Sequence, residues 1–339
     1  MSAPEPIRIR GIYRSPTHLP IWEVLHKAGI WQEVGVEVTS FEFCNSSATT
    51  EKALFAGDID FVSGNHISPY ALVAEGKPIV SIASPGNSVN DRLISRKPVQ
   101  SLAEIEGGRL GDTAIRDSAG GYHHPRGNHM LYIMRAGLTL DDVEWVHLAE
   151  DTHGLRDVLP GAFEAGEIDA ALVTGNTGVY EQAGLHVLPL EPLPMINGPT
   201  ITTAMNVLRE RPGLGERLVK AMVMGIHYAK THREETEAML AALKERIPGS
   251  GGRYASVTKL ASKPYPDILG VANAYKLCCM DAPKAEELSP MSLWDMHYLR
   301  DLDDSGFIDE LYASEPLHGG SRELGPKLVA KIKKDLDLN

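Results

Sequence analysis

The chain has 339 residues, 43% hydrophobic and 23% charged, with a formal net charge of -12. That length and balance suit a folded globular protein with a large core or two lobes. The negative charge argues against an electrostatic grip on nucleic acid or an anionic membrane, either of which needs clustered Lys and Arg.

Taken in order, Ile7 to Tyr13 is predicted as a first strand, the loop Arg14 to Pro20 leads on, and a helix runs from Ile21 to about Ala28 before Gly29. Val36 to Phe43 alternates as a second strand. Cys44 to Ser47 then precede a helix from Ala48 to Gly57, and Asn45 and Ser46 are capping residues that leave amides available to an anion. Gly57 to Asn65 is a short buried strand with its loop. A helix through Ala71 to Glu75 and a strand at Ile79 to Ala83 follow, so strand and helix alternate as a parallel sheet requires.

A related string recurs at Gly166 to Asn176, which makes the two halves of this region look alike. Between them come a connecting strand at Arg92 to Ser95, a short helix at Leu102 to Ile105 and a strand at Arg109 to Thr113. Beyond the loop that follows lie a helix to Ala136, a strand at Val143 to Leu148 and a helix at Leu155 to Ala165. A return strand is predicted at Thr200 to Val207. Helices are predicted at Leu214 to Ala229, Glu234 to Leu243, Tyr265 to Leu277, Trp294 to Ser305 and Leu324 to Leu336.

The stretch from Asp112 to His129 is the densest in reactive groups, with His123, His124, His129, Arg116 and Arg126. Pro125 suits the first helical position, which places His123 and His124 at the mouth of a helix N-terminus, a location that favours a bound carboxylate. Guanidinium pairs with carboxylate in a bidentate way, so Arg116 and Arg126 are candidate clamps. His66, after Gly64 and Asn65, and His18 also end up at strand termini. A lone histidine is more often structural than catalytic, but four facing one cleft could act as acids and bases. His123, His124 and His129 are also the candidates for a divalent metal ion, although their spacing matches no standard zinc signature. Cys44, Cys278 and Cys279 give an odd count without an evident disulfide, and the N-terminus shows no export signal, so a cytoplasmic location is expected.

Several strings carry a family resemblance: Tyr13-Arg-Ser-Pro-Thr-His-Leu-Pro-Ile21, Gly29-Ile-Trp-Gln-Glu-Val-Gly-Val-Glu-Val38, Ala56-Gly-Asp-Ile-Asp60, Ala74-Glu-Gly-Lys-Pro-Ile-Val-Ser-Ile82 and Ala165-Gly-Glu-Ile-Asp169. In these the chain resembles the type 2 periplasmic-binding-protein superfamily, within it the nitrate-, sulfonate- and taurine-binding proteins and the thiamine pyrimidine synthases. The resemblance implies a two-lobed α/β fold with a ligand cleft between the lobes and C-terminal helices. Lobe 1 would hold residues 1–91 and 192–339, and lobe 2 residues 92–191. Thiamine pyrimidine synthases use a histidine in the loop after the third strand, and His66 falls at or within a residue or so of that position; their cysteine-rich iron-binding run is absent. Aromatic desulfinases place a nucleophilic cysteine in the first loop, where this chain has Ser15, Thr17 and His18.

The resulting expectation is a cytosolic enzyme on a binding-protein fold, a decarboxylase-type lyase acting on a small anionic, aromatic carboxylic acid. His66, His123, His124 and His18 would be catalytic. Arg116, Arg126, Asn45, Ser46, Asn65, Thr174 and Asn176 would bind substrate. The alternatives are an ABC-type solute-binding protein or ligand sensor for a small anion, and a metal-dependent hydrolase. The expected partner is a small anionic organic molecule, with no nucleic acid and no membrane; a homodimer is the assembly considered.

Overall fold

A computed structural model describes residues 5–116, 124–150 and 152–313. Its strands are β1 (Ile7–Tyr13), β2 (Val36–Phe43), β3 (Phe61–Ser63), β4 (Ile79–Ala83), β5 (Gly86–Val89), β6 (Asp91–Ser95), β7 (Arg109–Thr113), β8 (Glu144–Ala149), β9 (Ala170–Thr174), β10 (His186–Pro189), β11 (Leu193–Asn197) and β12 (Ile201–Ala204). One five-stranded sheet has the order β2-β1-β3-β12-β4 and a second the order β10-β6-β9-β7-β8. The chain is thus a two-lobed α/β protein. A ribbon of β5 and β11, paired antiparallel, carries the chain between the sheets.

β1 pairs parallel with β2 and β3, as the strand–helix alternation predicts. The sheet is nevertheless mixed, because β12 returns from the second lobe and inserts antiparallel between β3 and β4. That strand stops at Ala204, short of the predicted Val207, and a helix takes over at Met205–Glu210. Val207 and Leu208 are both buried there while Arg209 and Glu210 are exposed, a grouping of neighbours that strand alternation cannot produce. The helix expected at Leu324 to Leu336 lies outside the described residues.

Period-two alternation builds the core of the second lobe. Along β9, Ala170 and Leu172 join the main apolar cluster, whereas Ala171 and Val173 join a separate cluster with Leu155, Leu159 and Phe163 on the opposite face. In the first lobe the long helix Leu214–Thr231 packs on Leu19–Lys27. Gly225 permits that approach: a Cβ there would lie 2.0 Å from Leu25 Cδ1. Among the described residues no helix is long and apolar enough to cross a membrane.

Both sheets direct loops from their strand ends into the space between the lobes, where ligands sit in open α/β sheets. Residues 14–18 follow β1, 44–47 follow β2, 64–68 follow β3, and β9 ends at Thr174. The helix His124–Arg135 presents its first turns from the other side.

Candidate functional site between the lobes

These loops enclose a cavity of about 310 Å³. On the first-lobe wall, Ser15 caps a short turn, Pro16–His18, by accepting the Thr17 amide at 3.2 Å. The turn drives His18 inward, where its Nδ1 donates to the Ser63 carbonyl at 3.0 Å. Burial lowers the His18 pKa to about 4, and the Arg14 charge adds to this, while the Ser63 carbonyl pulls the other way. Gly64 lies against that ring with φ +103, and a Cβ there would come 2.8 Å from His18 Cε1.

Arg14 leaves the end of β1 and faces the cavity. Its Nη1 donates to Asn65 Oδ1 at 2.9 Å and its Nη2 to the Asn45 carbonyl at 2.6 Å. Both acceptors are neutral, and the two bonds orient the guanidinium. Asn65, itself held at φ +67, donates from Nδ2 to Glu51 Oε1 at 3.0 Å, and Ser68 Oγ lies 2.5 Å from the same oxygen. Burial raises the Glu51 pKa, against the Ser68 and Asn65 hydrogen bonds and the Arg14 charge.

The second-lobe wall follows from helical phase. His124 and Asn128 form one pair four residues apart and Pro125 and His129 another, and all four line the cavity. Arg126 is two residues on from His124, about 200° round the helix, and it points away. Its guanidinium lies 3.4 Å from the centre of the Trp145 ring, with Nη1 3.4 Å from Asp112 Oδ2. His129 donates from Nδ1 to Asp112 Oδ2 at 2.8 Å, and its Nε2 lies 3.6 Å from Asp91 Oδ2. Burial opposes the charged form of both His129 and Asp112, yet their mutual attraction prevails, raising the pKa of His129 and lowering that of Asp112. Thr174 Oγ donates to Asp91 Oδ1 at 2.5 Å, and Arg156 donates from Nη2 to the Thr174 carbonyl at 3.0 Å.

The two walls meet at His66 and His124. Their Nε2 atoms are 3.1 Å apart and their rings pack edge to face, with centroids at 4.7 Å. One nitrogen must carry the proton and the other accept it, so two imidazolium ions cannot share this contact. Burial lowers His124 to about 3, helped by the His18 and Arg14 charges. His66, beside Thr200 Oγ at 3.3 Å, is lowered in the same way by burial and by the charges of His124, His18 and Arg14.

Of the residues singled out in the sequence, Ser15, Thr17, His18, Asn45, Asn65, His66, His124, His129 and Thr174 line this cavity. The others lie elsewhere. Arg116 pairs with Asp281, and Arg126 is turned towards Trp145 by helical phase. Ser46 is buried as a helix cap on the Thr49 amide, and Asn176 accepts the Gly178 amide. His123 is outside the described residues. Of the rest of the expected metal set, His129 is held between two carboxylates and His124 pairs with His66; among the described residues no group of three or more His, Cys, Asp or Glu could hold a metal ion. Sequence reasoning passed over Arg14, Asp91, Asn128 and Arg156. A charged residue immediately after a strand, as at Arg14, was the signal available for one of them.

The NMT1/THI5-like family matches residues 16–236, well over half of the chain. The chain belongs to that family. No curated protein sequence matches it. Among solved structures it is similar to the periplasmic aliphatic sulphonate binding protein SsuA from Escherichia coli, with 17% identity over 86% of this chain and 90% of that one, at a TM-score of 0.59. The periplasmic nitrate-binding protein NrtA from Synechocystis PCC 6803 gives 11% identity over 94% of each chain and the same TM-score of 0.59. A DszB mutant in complex with biphenyl-2-sulfinic acid gives 16% identity over 88% of this chain and 98% of that one, at 0.55. At these identities the likeness establishes the periplasmic-binding-protein fold and nothing finer.

Proposed function

We propose that this protein is a solute-binding protein for a small organic anion, a carboxylate or sulfonate, held in the cleft between its lobes. The observation that carries this reading is that Arg14 and Arg156 face one cavity from opposite lobes, oriented there by hydrogen bonds to Asn65, Asn45 and Thr174. Burial holds His18, His66 and His124 beside them neutral at pH 7, and the buried Asp112 and Asp91 carboxylates both face His129. The cavity therefore favours negative charge, and at about 310 Å³ it suits a small ligand. The sulphonate, nitrate and sulfinic acid named for proteins of the same fold are consistent with that charge.

Calorimetric titration with ethanesulfonate and benzoate tests it, with benzyl alcohol as the neutral match. Both anions should bind saturably, and Arg14→Gln should weaken them at least ~10-fold, the worth of one charge-assisted hydrogen bond. Equal binding of benzyl alcohol and benzoate would refute the reading.

A lyase is the second reading, favoured by one observation: His129 lies on the cavity wall, oriented by Asp112, and its carboxylate neighbours raise its pKa against the effect of burial. It is a better proton donor at neutral pH than His66 or His124, whose lowered pKa values leave them without the proton a general acid needs. Incubation with hydroxylated aromatic acids followed by mass spectrometry separates the two readings. Product that is lost in His129→Gln supports the lyase, and saturable binding with no product supports the solute-binding protein.

A further inference from the structure

A second cavity, about 340 Å³, lies on the first lobe between the Leu19–Lys27 helix, the edge strand β2 and the end of the Arg233–Arg246 helix. It shares no lining residue with the interlobe cleft. Aromatic rings form much of its wall. Trp22 and Trp31 stack with centroids 5.9 Å apart, Phe41 meets Trp22 edge-on at 5.6 Å, and Tyr13 packs on Phe41 at 5.2 Å.

One carboxylate stands among these rings. The Glu23 side chain is only 10% exposed, and its Oε2 accepts a hydrogen bond from Arg246 Nη2 at 2.9 Å. Its Oε1 is buried and meets no hydrogen-bond donor among the described residues. A buried carboxylate oxygen without a donor is costly, and here it belongs to a residue lining an aromatic cavity. Ring faces attract cations, so the rings and the spare oxygen ask for the same chemistry.

We infer that this cavity is a second ligand site, for a small organic cation: a protonated amine on an apolar body. The ammonium group donates to Glu23 Oε1, and the body lies against the rings. Arg246, whose side chain is half exposed at the rim, competes for the same carboxylate. The inference is independent of what the cleft binds, because the two cavities favour opposite charges.

Phenethylamine is the probe, titrated into the whole protein while tryptophan fluorescence and heat are recorded; 2-phenylethanol is the neutral match. The amine should produce a saturable fluorescence change that an excess of ethanesulfonate leaves in place. Glu23→Gln, near in shape and checked by circular dichroism, should weaken the amine at least tenfold. Arg246→Ala, at an exposed position, should tighten it several-fold by removing the competing donor. The inference is overturned if phenethylamine gives no saturable response, if 2-phenylethanol binds equally well, or if neither substitution moves the isotherm.

Discussion

Acidification should loosen this protein through the neutral imidazoles of the cleft. His18 is held at about 4 and His124 at about 3, in both cases chiefly by burial, against 6.5 for an ordinary imidazole. Below pH 6.5 the unfolded chain takes up protons that the folded chain refuses, so stability falls as pH drops towards the folded values. At pH 5 each of the two costs on the order of 2 kcal/mol, against almost nothing at pH 7.5. Together they remove about 4 kcal/mol, and the melting temperature of a chain this size should drop by roughly 6 °C. His66 acts in the same direction. His129 works in the opposite sense: its pKa is raised, so its contribution is complete below 6.5 and fades as pH rises through its folded value, and between pH 7.5 and 6.5 it offsets part of this fall. Scanning calorimetry at the two pH values, on the wild type and on His18→Gln and His124→Gln, measures the effect. Each variant should lose about 2 kcal/mol of the pH-dependent difference. Parallel pH profiles for all three proteins would refute the account.

Two substitutions test the geometry around those imidazoles. Gly64→Ala places a Cβ against His18 Cε1 at a backbone φ of +103, and it should cost about 2 kcal/mol in denaturant unfolding; an unchanged midpoint would mean that the loop after β3 has no such constraint. Arg126→Leu removes the guanidinium from over Trp145 and from Asp112. It should lower stability by about 1–2 kcal/mol and leave the affinity for ethanesulfonate as it was, whereas a large loss of affinity would return Arg126 to the cleft.

Local pattern carried the strands and helices, because parallel α/β units repeat strand, turn and helix within short spans of chain. β12 shows where that stops. Its residues read correctly as a strand, but their antiparallel place between β3 and β4 depends on a chain that has already built the second lobe. Helical phase set another limit. Arg126 and His124 look equally available in a linear reading, and only the helix beginning at His124 turns one towards Trp145 and the other into the cavity.

The site itself is a product of long-range contacts, and that is why its residues were easier to suspect than to assemble. Arg14 acquires its orientation from Asn45 and Asn65, 31 and 51 residues further along, so nothing adjacent to it in the chain announces a role. His66 and His124 stand out singly, one at a strand end and one at a helix start, yet they act on each other across 58 residues and two lobes. Their contact needs one donor and one acceptor, so the cleft as it stands accommodates at most one added proton there. The same burial that holds the pair neutral keeps two imidazolium charges out of the cleft, so the proposed grip on an anion falls to the guanidinium groups of Arg14 and Arg156 that face it.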